Sequence, residues 1–148
     1  VFNQKRKKEH QEFLRRVEKI SLELKQEQTP RKILIVDDDN SLNDFLTAVL
    51  SKEGYSISVS NSLAEFETEL LLRDCIYDML LLDIGLSNGD GLDWIEEVRN
   101  AGCITPVIVM TAYPSYERQK RAYELGVKSF IEKPIRVDRL LSRLREVL

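Results

Sequence analysis

"KILIVDDDN", Lys32 to Asn40, runs four apolar residues straight into three consecutive aspartates. An unbroken apolar run of this length is the pattern of a strand covered on both faces, as in a parallel sheet. The acidic end is harder to explain, because two carboxylates ~4 Å apart repel by roughly 4 kcal/mol at an effective dielectric constant near 20. A counter-charge must therefore meet the end of this strand.

Outward from it the same alternation repeats. Leu42, Phe45, Leu46, Val49 and Leu50 fall at i, i+3, i+4, i+7 and i+8, a one-faced helix that Gly54 stops. "YSISV" (55–59) alternates as a half-buried or edge strand would, and Ser62 can cap a second helix turning Leu63, Phe66 and Leu70 inward. "DMLLLD" (78–83) is a continuous apolar strand ending in aspartate; the turn-rich "GLSNGDG" (85–91) precedes a third helix with Leu92, Ile95 and Val98. "PVIVMTA" (106–112) is the fourth strand, residues 114–125 the fourth helix, closed by Gly126, and "VKSFIEK" (127–133) the fifth strand. Pro134 breaks it, and Val137, Leu140, Leu141, Leu144 and Val147 line a last helix. Five strand-helix repeats with short connections predict a doubly wound α/β domain, its parallel sheet covered on both faces.

The chain has 148 residues, 43% hydrophobic and 32% charged, enough for one core and an appended element. Residues 1–29 carry eight Lys/Arg against five Glu, whereas the whole chain is net −3. The two parts are therefore built differently, and we divide the chain into a connector helix (1–30) and a globular domain (31–148). Segment 9–28 lacks Gly and Pro, and Phe13, Val17, Ile20 and Leu24 recur at coiled-coil spacing; it reads either as a helical connector that pairs with a second copy or as a helix packing on its own domain. Starting with Val, the chain is expected to be a piece of a longer protein. No apolar run reaches the ~20 residues of a membrane span and the N-terminus lacks a signal-peptide core, so a cytoplasmic location is expected. Cys75 and Cys103 fit neither a metal nor a redox spacing and are read as free thiols.

In a doubly wound sheet the site lies beyond the carboxyl ends of the strands. Collected there are Asp37, Asp38 and Asp39 after the first strand, Asp83 after the third, Thr111 after the fourth and Lys133-Pro134 after the fifth. Each alone has an ordinary explanation as a cap, a strand residue or a solvated lysine; their joint placement does not. Clustered carboxylates without His or Cys are hard oxygen ligands suited to Mg²⁺. With such an ion, one aspartate, a lysine and a hydroxyl suggest phosphoryl transfer onto a carboxylate.

This pattern resembles the receiver domain of two-component response regulators. The resemblance is carried by Asp37-Asp38, Asp83 after its apolar strand, Thr111-Ala112, and Lys133-Pro134 with Phe130 three residues before the lysine, and covers residues 31–148. It implies a flavodoxin/CheY-like sheet in the order 2-1-3-4-5. It further implies that Asp83 accepts a phosphoryl group from a phosphohistidine on a histidine kinase or histidine phosphotransfer protein. Asp38 and Asp83 would bind Mg²⁺ directly, Asp37 at least partly through water, and the Gly85 carbonyl would complete the protein ligands. Thr111 and Lys133 would hold the phosphoryl oxygens, and Phe130 would be the switch aromatic of a surface formed by the fourth helix, fifth strand and fifth helix. Asp39 matches no motif position and is expected to cap the first helix. The chain departs from the family at Gly85 and Ser87, where a bulky residue and a proline are usual, leaving the acyl-phosphate lifetime open.

Two other classes compete. A haloacid-dehalogenase-type phosphatase would use Asp37, Asp39 and Ser41, but it gives Asp83 no role and lacks a later acidic pair. A phosphorylation-independent interaction module would be a receiver used mainly for dimerisation through the N-terminal helix. Direct nucleic-acid binding is not expected, because the domain is acidic and Arg136, Arg139, Arg143 and Arg145 do not line one face.

Overall fold

In the computed structural model, residues 2–27, 29–64, 76–85 and 90–148 are described. The chain divides into two compact units, Val1–Pro30 and Arg31–Leu148.

The first unit is a single helix, α1 (Phe2–Glu27), longer at its start than the sequence reading. Glu, Lys, Gln and Leu favour it, and the residue before Pro30 is biased away from helical geometry. Phe13, Val17, Ile20 and Leu24 are exposed on it.

The second unit has the elements β1 (Lys32–Val36), α2 (Asn40–Lys52), β2 (Ser56–Ser60), β3 (Met79–Asp83), α3 (Gly91–Asn100), β4 (Val107–Thr111), α4 (Tyr116–Glu124), β5 (Ser129–Glu132) and α5 (Val137–Val147). All strand pairs are parallel, in the order β2-β1-β3-β4-β5. The doubly wound five-stranded sheet and the extra N-terminal helix are those expected. Phe66 and Leu70, and Ser87 of the turn-rich loop, lie outside the described residues.

The apolar runs are continuous because each strand feeds two cores. Ile33, Ile35, Met79, Leu81, Ile108 and Met110 pack with Leu46 and Leu50 of α2 and Leu140 and Leu144 of α5. The alternate residues Leu34, Val36, Leu80, Leu82, Val107 and Val109 pack with Leu92, Ile95 and Val98 of α3 and Ala122 of α4. At roughly 2–5 kcal/mol per Leu-to-Ala truncation in such a core, the strand ends are held by a rigid platform.

Two readings are corrected. Phe45 was expected inward but is half exposed, and the inner face of α2 is Asn43, Leu46 and Leu50. A polar residue takes the inner position because the Asn43 amide donates to the Asp37 carbonyl at 2.8 Å. Cys103 is disulfide-bonded rather than free, since spacing along a chain carries no information about distance in space.

Candidate functional site

Each strand that carries a chemical group ends at the same crest of the sheet, because parallel strands share one direction. Asp37 follows β1, Asp83 ends β3, Thr111 ends β4 and Lys133 follows β5. β1 lies beside β3, β3 beside β4 and β4 beside β5, so these four positions are neighbours in the order the sheet dictates.

Lys133 is the hub. Its ammonium donates to Asp37 Oδ2 at 2.6 Å and to Asp83 Oδ2 at 3.0 Å. Its own backbone N–H is fixed on the Thr111 carbonyl at 2.7 Å, and a cis bond joins it to Pro134. The Asp37 side chain is 0% exposed, that of Lys133 17% and that of Asp83 10%. Burial, the largest influence, pushes the Asp37 carboxyl above the usual aspartate range, against the pull of Lys133 and of the Asp39 N–H. Burial also draws Lys133 down, but the hydrogen bonds and charges of Asp37 and Asp83 outweigh it and hold the ammonium above its ordinary value. The repulsion that the aspartate run implied is thus met, within the chain itself, by one lysine.

The remaining carboxylate oxygens are also oriented. Asp37 Oδ1 accepts from the Asp39 N–H at 2.9 Å and Asp83 Oδ1 from the Gly85 N–H at 2.8 Å. Asp39 caps α2, its side chain accepting from the Leu42 N–H at 3.0 Å, as expected of it. Asp38 is exposed, unlike the buried Asp37 and Asp83. Oxygen atoms of Asp37, Asp38 and Asp83 all lie within 4.8 Å of one another. Three carboxylates with no nitrogen or sulfur donor fit a hard divalent ion such as Mg²⁺ rather than zinc or copper, so the donor set passes the test its chemistry imposes.

Thr111 is buried, and its Oγ1 accepts from the Tyr113 N–H at 3.1 Å. A hydroxyl that accepts in this way keeps its own proton for another acceptor. Gly85 is exposed at the end of β3, and a Cβ there would sit 3.4 Å from Asp83 Oδ1, ordinary contact. Phe130 stands apart from the carboxylates: it is half-buried on β5, opposite Val109, and packs on the core beneath α3 and α4. Asp37, Asp38, Asp83 and Lys133 are therefore brought together, with Thr111 on the adjacent strand end, while Phe130 lies in the core layer.

Three contributors escaped the sequence reading. Asn43 holds the Asp37 carbonyl. Gly91 opens α3 against the residue after β3, and a Cβ on it would fall 2.8 Å from Ile84 Cα, so no larger residue fits without a backbone shift. The sequence signal for Gly91 was a glycine directly after the helix cap Asp90, whose side chain accepts from Leu92 N–H at 2.9 Å. Arg118 of α4 reaches back to the Ile84 carbonyl at 3.2 Å, a contact with no local signature.

Comparison with known proteins places these features in a family. The family model described as the response regulator receiver domain matches residues 33–145. The transcriptional regulatory protein CpxR of Klebsiella pneumoniae is 36% identical over 117 residues, which is 79% of this chain and 49% of that protein. The transcriptional regulatory protein DltR of Streptococcus agalactiae is 34% identical over 114 residues, 77% of this chain and 50% of that protein. The chain spans about half the length of these curated relatives. Among solved structures, the non-phosphorylated HemR receiver domain from Leptospira biflexa is similar at 31% identity with a TM-score of 0.73, over 79% of this chain and 93% of that one.

Proposed function

This chain belongs to the response regulator receiver family, and from that premise we propose that Asp83 is its phosphoacceptor, taking a phosphoryl group from a phosphohistidine donor. The observation that carries the reading is Lys133 Nζ set between Asp37 Oδ2 and Asp83 Oδ2, at 2.6 and 3.0 Å, beside a third carboxylate. In the transfer, an Asp83 oxygen attacks phosphorus, the bond from phosphorus to the donor imidazole nitrogen breaks, and the imidazole leaves with that electron pair.

The chain's own residues supply positioning and charge. Lys133 turns from the carboxylate pair to a phosphoryl oxygen, and Thr111 donates its free proton to another. Asp38 and Asp83 would hold Mg²⁺ directly, with the Gly85 carbonyl, and Asp37 at least partly through water. That ion supplies neutralisation of the charge gathered on the phosphoryl oxygens. Asp38 is the informative ligand to remove, because it is exposed and its loss leaves the buried pair intact. Asp38→Ala is expected to weaken Mg²⁺ binding about tenfold or more in calorimetry, ~1.4 kcal/mol for each factor of ten. An unfolding midpoint unchanged without Mg²⁺ would accompany it, and unaltered Mg²⁺ affinity would remove Asp38 from the metal site.

The new dianion on Asp83 draws Thr111 and Lys133 inward, and both adjoin the surface of α4, β5 and α5. Phe130 is the candidate switch aromatic there, and Tyr116 in the first turn of α4 is exposed. The donor would be a histidine kinase or histidine phosphotransfer protein, and no direct contact with nucleic acid is part of the reading. A haloacid-dehalogenase-type activity is disfavoured because Asp39, which it would need in the site, is spent on capping α2.

The residues of α1 at coiled-coil spacing, Phe13, Val17, Ile20 and Leu24, are exposed, and we assign them to pairing with a second copy in a coiled coil. Light scattering at high micromolar concentration is expected to give a dimer that deletion of residues 1–28 converts to a monomer; a monomer in both cases would refute the pairing. No described helix is long and apolar enough to cross a membrane. A cytoplasmic location is proposed, in which thiols are held reduced, so the Cys103 disulfide would open there.

A further inference from the structure

Arg118 lies in the first turn of α4, where Ser115 Oγ fixes its backbone by accepting from the Arg118 N–H at 3.2 Å. Its guanidinium leaves that helix for the segment after β3. Nη2 donates to the Ile84 carbonyl at 3.2 Å and to Asp90 Oδ1 at 3.2 Å, and Nη1 approaches Asp90 Oδ2 at 3.5 Å. Asp90 is itself immobilised as the cap of α3, so the fork is anchored on one side by a fixed carboxylate.

The Ile84 carbonyl belongs to the peptide unit whose nitrogen is Gly85, and this unit is trans. A trans peptide is planar, with its oxygen and its N–H on opposite edges, so turning one edge turns the other. The Gly85 N–H donates to Asp83 Oδ1 at 2.8 Å. One rigid plane therefore has Arg118 on its oxygen and the phosphoacceptor on its proton. The Gly91 N–H also reaches the Ile84 carbonyl, but at 3.4 Å and from the same β3–α3 connection. Among the described residues, Arg118 is the contact that brings α4 to this peptide.

We propose that Arg118 is a positioning residue: it sets the orientation of the Asp83 carboxylate through the Ile84–Gly85 peptide and so couples the start of α4 to the phosphoacceptor. The proposal rests on the reading of Asp83 given above. The stretch from Thr111 to Arg118 then touches the site at both ends, at the hydroxyl that closes β4 and at the peptide beside the acceptor. A displacement of the start of α4 is felt by the carboxylate, and by the same linkage the state of the carboxylate biases α4.

The test uses the full chain with Arg118→Ala and Arg118→Lys, the latter keeping the charge but losing the planar fork that spans two acceptors. Two quantities are read: the amide proton shift of Gly85 by NMR, and the rate of phosphorylation by phosphoramidate as a function of donor concentration at saturating Mg²⁺. In Arg118→Ala the Gly85 amide should move upfield as its bond to Asp83 loosens. The maximal rate should fall about tenfold with the half-saturating donor concentration unchanged, as for a misoriented nucleophile. Arg118→Lys should recover part of both. A side chain that only props α4 would lower the unfolding midpoint and leave both readings alone. An unmoved Gly85 amide, or a moved amide with an unchanged maximal rate, overturns the proposal. Should the unaltered chain accept no phosphoryl group, the reading of Asp83 fails, and the Gly85 amide still decides whether Arg118 sets this peptide.

Discussion

Asp83→Asn takes phosphorylation by a small phosphodonor from about one group per chain to none while leaving the fold intact. An amide oxygen is a poor nucleophile and forms no acyl phosphate, so the chemical effect is complete rather than graded. The structural effect should be small. The amide oxygen still accepts from Gly85 N–H in place of Asp83 Oδ1, and Lys133 keeps its 2.6 Å partner Asp37. One of three clustered carboxylates is removed, relieving repulsion of the order of 4 kcal/mol per close pair at an effective dielectric constant near 20. The unfolding midpoint without Mg²⁺ is thus expected to hold or rise. Urea denaturation beside phosphorylation read by mass spectrometry separates the two effects. Labelling that survives the substitution would deny Asp83 its role.

Lys133→Met acts in the opposite sense. It removes the cation shared by Asp37, 0% exposed, and Asp83, and a thioether offers nothing in return. Breaking a buried pair from one side costs ~3–5 kcal/mol; since the lysine is partly exposed, about 2–3 kcal/mol is expected at neutral pH in chelator. Mg²⁺ should restore most of it, because binding to the folded state alone adds stability in proportion to RT ln(1 + [L]/Kd). The variant's stability therefore becomes metal-dependent.

Its loss of stability with rising pH should also move to a lower pH window. In the parent, Lys133 sits above its ordinary value, so the pair's contribution is complete below the unfolded lysine pKa of ~10.4 and lost as pH rises through the folded one. In the variant, burial acts on Asp37 without an opposing cation, and the folded state binds a proton that the unfolded state has already released. Stability then falls as pH climbs from the ordinary aspartate value of ~3.9 through that raised pKa. A flat pH profile in Lys133→Met, unresponsive to Mg²⁺, would show that the lysine bears no electrostatic load.

Much of this was legible in the chain. The continuous runs at 33–36, 79–82 and 107–110 announced strands buried on both faces because both alternate sets are apolar, and both faces are in fact covered. The polar residue ending each run identified the crest because parallel strands bring like ends together. The inner face of α2 was misread, since hydrophobicity alone favoured Phe45 over Asn43 and the bond from Asn43 to the Asp37 carbonyl is a tertiary fact. Arg118 was invisible for the same reason: an arginine early in a polar helix looks solvated until α4 is laid beside the end of β3. The reading of Cys103 failed in the same way, because spacing does not report proximity, and Cys75 lies outside the described residues.

The central claim is that one carboxylate, Asp83, carries the signal. Borohydride reduction of the chain after incubation with phosphoramidate and Mg²⁺ converts an aspartyl phosphate to homoserine, which peptide mass spectrometry locates. The account predicts homoserine at position 83 alone, and absent without Mg²⁺. Homoserine at Asp37 or Asp38 instead, or a phosphoryl group on a residue that borohydride leaves unchanged, would contradict it.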